Sequence, residues 1–155
     1  MIRKPENALY YAIRIKASLK SNENIDVRMA IGIGDITYNA HKVTESNGSA
    51  FVFSGEKFEM LKKDKQNLAI KSNWPAFDKE MNLCLKLSLM VMDNWTVTAA
   101  QIVNTILEHP GKSQEELGKI AGIKQNAISN RIRRAYFNEI MEVDGMFANK
   151  LVMME

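Results

Sequence analysis

The segment between Ser113 and Arg134 constrains the fold more than any other part of the chain. Ser113 and Glu116 have the spacing of a capping box, in which each side chain accepts a hydrogen bond from the other residue's backbone N–H, so a helix is predicted to begin there. Gly122 is predicted to end that helix in the left-handed conformation, and Gly118 to lie where a second helix comes close. Two short helices joined by a glycine turn are typical of a helix–turn–helix.

Apolar residues around this motif recur at three- and four-residue steps, which predicts helices packed on a shared core. An earlier helix is expected to begin at Thr96 or Thr98 and to end at His109-Pro110-Gly111, because proline cannot continue a helix. The predicted inward residues are Ile102, Val103, Ile106 and Leu107 in that helix, Leu117, Ile120 and Ala121 in the next, Ile123 in the turn, and Ala127, Ile128 and Ile132 in the last.

The second helix of the motif is predicted to begin near Gln125 and to carry polar residues on its outer face. Amide side chains near its start can read adenine or place the helix through phosphates, and the long cationic side chains are suited to phosphates. Lys124 occupies the N-cap position, which forgoes roughly 0.5–2 kcal/mol of capping. The predicted DNA-contacting residues are Lys124, Gln125, Asn126, Ser129, Asn130, Arg131, Arg133 and Arg134.

Tyr136, Phe137, Ile140, Met141 and Val143 are predicted to extend the same helix as far as Asp144-Gly145, which is expected to break it. Beyond the break, the spacing of Phe147, Leu151 and Met154 fits another helical face, and a short β-wing that turns at Asp144-Gly145 is the alternative.

The first half of the chain predicts a mixed α+β domain. A helix is expected over Glu6–Lys20, a strand with period-two alternation over Val27–Ile33, and a second strand at Ile36–Tyr38 or His41–Val43. A turn is expected at 46–49. A helix follows, indicated by the spacing of Phe51, Gly55, Phe58 and Leu61, and an edge strand at Leu68–Ile70 completes this part.

A helix predicted over Asp78–Met92 is apolar on nearly every face, so it must be buried on most sides, between two domains or between two subunits. We therefore expect an N-terminal domain at 1–76, a linking and dimerisation helix at 77–95 and a helix–turn–helix domain at 96–155.

Charge is distributed unevenly along the chain. Residues 1–91 carry 14 Lys and Arg against 10 Asp and Glu, whereas residues 92–155 carry 7 against 8. Within the second part, Lys112 to Arg134 holds six basic residues against two acidic ones, a local excess typical of nucleic-acid binding. One cysteine, Cys84, and the lack of an apolar signal or membrane-spanning run predict a cytoplasmic protein with no membrane partner.

The sequence offers little for catalysis, cofactors or metals. Gly32-Ile33-Gly34 lacks the third glycine of a dinucleotide-binding motif, and His41 and His109 have no second ligand at metal spacing. Asp35 is interpreted as a carboxylate in a turn. The sequence has no recognisable Ser-His-Asp or Cys-His arrangement for nucleophilic catalysis. We expect no catalytic residue, no cofactor and no metal.

Two segments resemble a known family. RMAIGIGDI, followed by NGSAFVFSGEKFEMLKK, resembles the second half of the N-terminal domain of the SatD family, and is similar to the class III nucleotidyl-cyclase layout. WTVTAAQIVNTILEHPGKSQEELGKIAGIKQNAISNRIRRA resembles that family's C-terminal helix–turn–helix, and is similar to sigma-factor region-four and phage-repressor modules. The resemblance covers most of residues 8–137. It implies a small partial ferredoxin-like or cyclase-like α/β sandwich followed by an all-α helix–turn–helix domain.

The cyclase layout opens with a strand and helices that bear metal-binding aspartates, and this chain lacks that opening. Either the domain is shortened or the chain is a fragment of a longer protein, so cyclase chemistry is not expected. The predicted function is a DNA-binding transcriptional regulator that inserts its helix–turn–helix into the major groove as a homodimer, with the N-terminal part serving dimerisation or ligand sensing. The alternative is a protein-interaction module or a non-catalytic fragment of a nucleotidyl-cyclase-like protein.

Overall fold

A computed structural model describes residues 2, 4–22, 25–35 and 48–154. Over these residues the chain is mixed α and β with helices predominating, which confirms the broad α+β class. The two strands are β1 (Met29–Gly32) and β2 (Leu68–Lys71), and a 3-10 turn at Pro5–Asn7 precedes the first helix. The helices are α1 (Ala8–Lys20), α2 (Ser49–Lys63), α3 (Pro75–Met92), α4 (Val97–Glu108), α5 (Gln114–Ala121), α6 (Gln125–Arg134) and α7 (Phe137–Val152).

The chain divides into two compact units, and the division falls within α3. The sheet unit comprises Met1–Pro5 and Arg28–Leu89, and the helical unit comprises Glu6–Val27 and Met90–Glu155. We expected α1 to belong to the N-terminal α+β domain, but it belongs to the helical unit. The reason is that its apolar face, which includes the buried Leu9 and Ile13, packs against α4 and α7 rather than on the sheet.

The sheet unit is built on a strand–helix–strand arrangement. β1 and β2 are parallel, with Met29 opposite Leu68, and α2 lies between them in sequence and packs against both. A Cβ on Gly32 would lie 2.0 Å from the Ala50 carbonyl oxygen, so only glycine allows α2 to approach this closely. The predicted second strand at 36–38 or 41–43, and the first half of the predicted turn at 46–49, lie outside the described residues.

The side chain of Asn82, on α3, covers part of the edge of β2. The Ile70 N–H donates to Asn82 Oδ1 at 2.9 Å, and Asn82 Nδ2 donates to the Ile70 carbonyl at 2.9 Å. The carboxamide therefore satisfies both backbone groups of Ile70, as a neighbouring strand would, and blocks that position against pairing with another chain.

One face of α3 is buried and the opposite face is exposed. The buried residues are Phe77, Met81, Leu85, Leu89 and Met92. Leu83, Leu87 and Met90 are 60%, 59% and 70% exposed, so the expectation of burial on most sides is wrong for the single chain.

The core of the helical unit beneath the motif follows the predicted apolar pattern. Ile102 of α4, Leu117 of α5 and Ile128 of α6 form a buried cluster, against which Ile106, Ile123 and Ile132 pack. Two predicted inward residues are wrong: Ile120 is 48% exposed and Ala121 is also exposed. The buried arc of α5 is centred between Leu117 and Gly118, and Ile120 lies about 110° away from that centre at 3.6 residues per turn.

The chain after α6 differs from the prediction. The break comes at Ala135-Tyr136, where Tyr136 adopts a φ of 49°, and α7 then continues through Asp144-Gly145 without a wing. The Trp95 indole N–H donates to the Ala135 carbonyl at 3.0 Å and so takes an acceptor that a continuing helix would use. Phe147 is buried on α7, as its spacing suggested.

A buried lysine joins α1 to the segment between α3 and α4. Lys16 is fully buried, and its Nζ lies 2.6 Å from Asp26 Oδ1 and 2.6 Å from Asp93 Oδ1. Burial works to raise the pKa of Asp26, but the hydrogen bonds from Lys16 and from the Val27 N–H, with the charge of Lys20, outweigh it and lower that pKa. Two carboxylates thus offset the cost of burying one ammonium group.

Asp144 lies on α7 and is half-buried without full compensation. Its Oδ1 is buried and has no hydrogen-bond partner among the described residues. Burial raises the pKa of Asp144 to about 6, although a hydrogen bond from the Tyr10 backbone acts in the opposite direction. The carboxyl is therefore held in a site that favours its neutral form.

Candidate nucleic-acid interface

The start of α5 is held by the predicted capping box. The Glu116 N–H donates to Ser113 Oγ at 3.2 Å, and the Ser113 N–H donates to Glu116 Oε2 at 2.8 Å. Lys112 Nζ lies 2.7 Å from Glu116 Oε1, and this hydrogen bond, with those from Ser113, lowers the pKa of Glu116 to about 2. The first helix of the motif therefore begins at a fixed point.

The turn between α5 and α6 depends on two glycines, as expected. Gly122 has a φ of 67°, which is left-handed, and the Ile123 N–H donates to the Gly118 carbonyl at 2.9 Å. A Cβ on Gly118 would lie 2.7 Å from the Ile123 carbonyl oxygen, so a larger residue would push the turn away from α5. This contact sets the position from which α6 starts.

α6 has one apolar side and one polar side. Ile128 is fully buried and Ile132 packs beside it on the core cluster. The opposite side is exposed over about half the circumference of the helix at 3.6 residues per turn. The exposed face of α6 consists of Gln125, Asn126, Ser129, Asn130, Arg133 and Arg134.

Two of the predicted DNA-contacting residues, Lys124 and Arg131, do not lie on the exposed face of α6. Lys124 is exposed and forms the N-cap, where its side chain makes no capping hydrogen bond, as predicted. Arg131 is half-buried and lies on the side of α6 that joins the apolar face. The structure thus brings the six residues of the exposed face together, with Lys124 before the start of the helix and Arg131 apart from them.

The charge of the exposed face is positive and not neutralised within the motif. α6 contains no acidic residue, and none of the salt bridges between described residues uses an arginine. The two acidic residues of α5 are both paired, Glu115 with Lys119 at 2.9 Å and Glu116 with Lys112. The guanidinium charges of Arg133 and Arg134 therefore remain available to an external anion.

One contact on the exposed face was not foreseen from the sequence. The Arg133 guanidinium donates to Asn130 Oδ1 at 3.2 Å, three residues earlier on the same helix. The spacing i, i+3 would have suggested it, since residues three apart are neighbours on a helix surface. Asn130 is therefore engaged within the face, whereas Gln125 and Asn126 make no side-chain hydrogen bond to another described residue.

The other candidate sites remain isolated. The described residues contain no group of three His, Cys, Asp or Glu side chains that could hold a metal ion. His109 is the exposed C-cap of α4, the Asp35 N–H donates to Ser49 Oγ at 2.9 Å, and His41 lies outside the described residues. Within the described part of the chain, no helix combines the length and the apolar character needed to cross a membrane.

Comparison with protein-family models, with curated proteins and with solved structures finds no match.

Proposed function

We propose that the protein binds duplex DNA with α6 in the major groove and acts as a transcriptional regulator. The observation that carries the proposal is the exposed face of α6, which is polar, basic and free of carboxylates, on a helix fixed from behind by a packed core. A helix of this kind fits the width of the major groove, and unpaired arginines attract the phosphates on either side.

The residues of the exposed face fall into two chemical groups. Arg133 and Arg134, at the end of α6, have the length and charge to contact phosphates, which adds affinity without base preference. Gln125 and Asn126, at the start, have amides that suit base edges. Arg131 is half-buried away from this face, so we expect it to contribute less than the other two arginines.

We further propose that the protein works as a homodimer. One helix–turn–helix makes few base contacts, and paired motifs usually read two half-sites about 34 Å apart. The exposed apolar residues Leu83, Leu87 and Met90 recur at i, i+4 and i+7 on α3, the spacing of a helix–helix seam. Sedimentation velocity should show a dimer that Leu87→Lys dissociates and that the neighbouring Lys86→Gln leaves intact. A monomer at high micromolar concentration would contradict this part of the proposal.

The sheet unit takes a supporting role in this proposal. We propose that it is a partial cyclase-like sandwich of the SatD type. The resemblance of the segment RMAIGIGDI and the close approach of α2 at Gly32 support this proposal. Among the described residues, this unit has no group of three His, Cys, Asp or Glu side chains that could hold a metal ion, so we propose no catalytic role for it. The proposed function also implies a cytoplasmic location.

Fluorescence anisotropy of a labelled duplex pool tests the DNA-binding proposal. Arg133→Ala should weaken binding to all sequences alike, and Gln125→Ala should weaken binding to the preferred site by roughly 1–3 kcal/mol and to random DNA much less. Lys62→Ala, which removes an exposed cation from α2, is the matched control and should change little. Absence of binding at about 50 mM salt by a folded protein would favour the protein-interaction alternative.

A further inference from the structure

The polar side chains on the exposed face of α6 divide into engaged and free groups. Asn130 accepts a hydrogen bond from the Arg133 guanidinium at 3.2 Å, which occupies its carbonyl oxygen. Gln125 and Asn126 make no side-chain hydrogen bond to another described residue and are both exposed. Two of the three carboxamides on this face therefore present both a free donor and a free acceptor to solvent.

A free carboxamide matches one base better than the others. In the major groove, adenine presents the N7 acceptor beside the N6 amino donor, so the NH2 and C=O of an amide pair with it bidentately. Guanine presents two acceptors, N7 and O6, which suit the guanidinium or ammonium groups of Arg and Lys instead. The free amides thus distinguish adenine from guanine by hydrogen-bond pattern alone.

The arginines of α6 are poorly placed to add a guanine contact at the same base pairs. Arg133 and Arg134 lie eight residues beyond Gln125 and Asn126, about 12 Å along the helix axis at 1.5 Å per residue. Arg133 is also held toward Asn130 by their hydrogen bond. The start of α6 therefore offers amides without a competing guanidinium. The neighbouring cation, Lys124, is the N-cap that precedes the helix, where we expect its ammonium group to contact a phosphate.

We propose that Gln125 and Asn126 recognise adenine in the major groove, and that Asn130 is a positioning residue that orients Arg133 toward a phosphate. The inference rests on the proposed DNA-binding function and names the ligand of the same surface. The preferred ligand is a duplex with adenine at the base pairs beneath the start of α6.

Selection of bound duplexes from a random pool, followed by anisotropy on the selected site, tests the adenine contacts. Wild-type protein should enrich A·T pairs at the central positions of each half-site. Asn126→Ala and Gln125→Ala should each lose about tenfold in affinity for that site and little for random DNA. Asn126→Arg should redirect selection to guanine at one position, because arginine matches the two guanine acceptors. Lys62→Ala should retain the wild-type preference.

A base analogue checks the same contact without changing the protein. Replacing the contacted adenine with 7-deazaadenine removes the N7 acceptor and keeps Watson–Crick pairing. Wild-type binding should weaken several-fold, whereas Asn126→Ala or Gln125→Ala, whichever residue makes that contact, should become insensitive to the analogue.

A double-mutant cycle tests the positioning role of Asn130. Asn130→Ala and Arg133→Ala should each weaken binding, and the double variant should be no weaker than Arg133→Ala alone, because Asn130 acts through Arg133. Asn130→Gln keeps an amide oxygen as acceptor for the guanidinium and should retain more affinity than Asn130→Ala. A change of base preference in Asn130→Ala would show that Asn130 reads a base itself, which would overturn this assignment.

The outcomes separate this inference from the function on which it rests. DNA binding with no base preference, or with guanine preferred by the wild type, overturns the adenine assignment and leaves the DNA-binding proposal standing. Absence of binding to any duplex by a folded protein overturns the DNA-binding proposal, and the adenine assignment with it.

Discussion

Replacing Lys16 with methionine should be among the most destabilising single substitutions in the helical unit. Methionine keeps much of the apolar stem and removes only the buried ammonium group, which lies 2.6 Å from both Asp26 and Asp93. Because both oxygens contact the same nitrogen, they are at most about 5 Å apart. At an effective dielectric of about 20, two like charges at that distance repel by about 3 kcal/mol.

The two carboxylates are only partly buried, with side-chain exposures of 34% and 30%, so solvent reduces this repulsion. Breaking a buried ion pair usually costs about 3–5 kcal/mol, and we expect Lys16→Met to cost about 3 kcal/mol at pH 7. The cost should shrink as the pH falls toward 4, because protonation of one carboxyl relieves the repulsion. In the wild type the lowered pKa of Asp26 reduces this cost further at low pH, since the stability it contributes is lost as the pH falls below about 4.

Urea denaturation between pH 4 and 8, followed by the fluorescence of Trp95 in a Trp74→Phe background, measures this effect. Arg14→Met, which removes an exposed cation from the same helix, is the matched control and should change the free energy of unfolding by less than about 0.5 kcal/mol. Adding Asp26→Asn to Lys16→Met should recover part of the loss. A cost below about 1 kcal/mol at pH 7, or no gain from the second substitution, would refute the reasoning.

Three further substitutions test other contacts by the same urea assay. Gly118→Ala should cost about 1–3 kcal/mol, since its Cβ would lie 2.7 Å from the Ile123 carbonyl oxygen, and an unchanged stability would show that the turn relaxes freely. Asp144→Asn should stabilise the protein by about 1–2 kcal/mol above pH 6 and by little below pH 4. The reason is that the raised pKa of Asp144 makes the stability of the wild type fall as the pH rises from 4 to 6. A difference in stability that does not change with pH would contradict the raised pKa of Asp144. Asn82→Ala should cost about 1–3 kcal/mol by leaving both backbone groups of Ile70 without their partner, and no loss would mean that water replaces the amide.

The local features of the helix–turn–helix were predictable because they depend on residues close in sequence. The pairing of Ser113 with Glu116 follows from their spacing, and the left-handed Gly122 follows from the need of a helix end for a residue without Cβ strain. The close approach at Gly118 was also expected. Each of these contacts spans fewer than eight residues, so pattern and stereochemistry are sufficient to predict it.

The break between α6 and α7 was predicted at the wrong place because its cause is distant in sequence. Asp144-Gly145 has the composition of a turn, but one glycine inside a helix costs only about 1 kcal/mol, which packing of the buried Phe147 can offset. Ala135 carries no breaking signal of its own. Its carbonyl accepts from the indole of Trp95, forty residues earlier, and no local pattern reports that contact.

The charge cluster around Lys16 was missed although the sequence holds part of the signal. Lys16 lies on the same face of α1 as Ala12 and Ile13, so the helix pattern alone places a cation on the packed side. Its two partners come from different parts of the chain, Asp26 from the segment after α1 and Asp93 from the segment between α3 and α4. Pairing at such separations depends on the tertiary fold and could not be assigned in advance.

The exposed face of α6 shows the same division between local and distant information. Helical periodicity predicted the outward positions of Gln125, Asn126 and Asn130, and it also suggested an outward Arg131. Arg131 is instead half-buried, since a residue at the boundary of a helix face is covered or exposed according to the helices packed beside it. The amphipathic pattern therefore predicts the centre of a face better than its margins.

The dependence of duplex binding on salt tests the central claim most directly. Log K should fall linearly with log salt, and each phosphate contact removed should lower the slope by about 0.9. We predict that Arg133→Ala/Arg134→Ala, which removes two phosphate contacts from each protomer of the proposed dimer, lowers the slope by about 3.6, whereas Lys62→Ala/Lys63→Ala, which removes the same charge from the exposed end of α2, leaves it nearly unchanged. Equal slopes for the two double variants would contradict the claim that α6 is the surface that binds DNA.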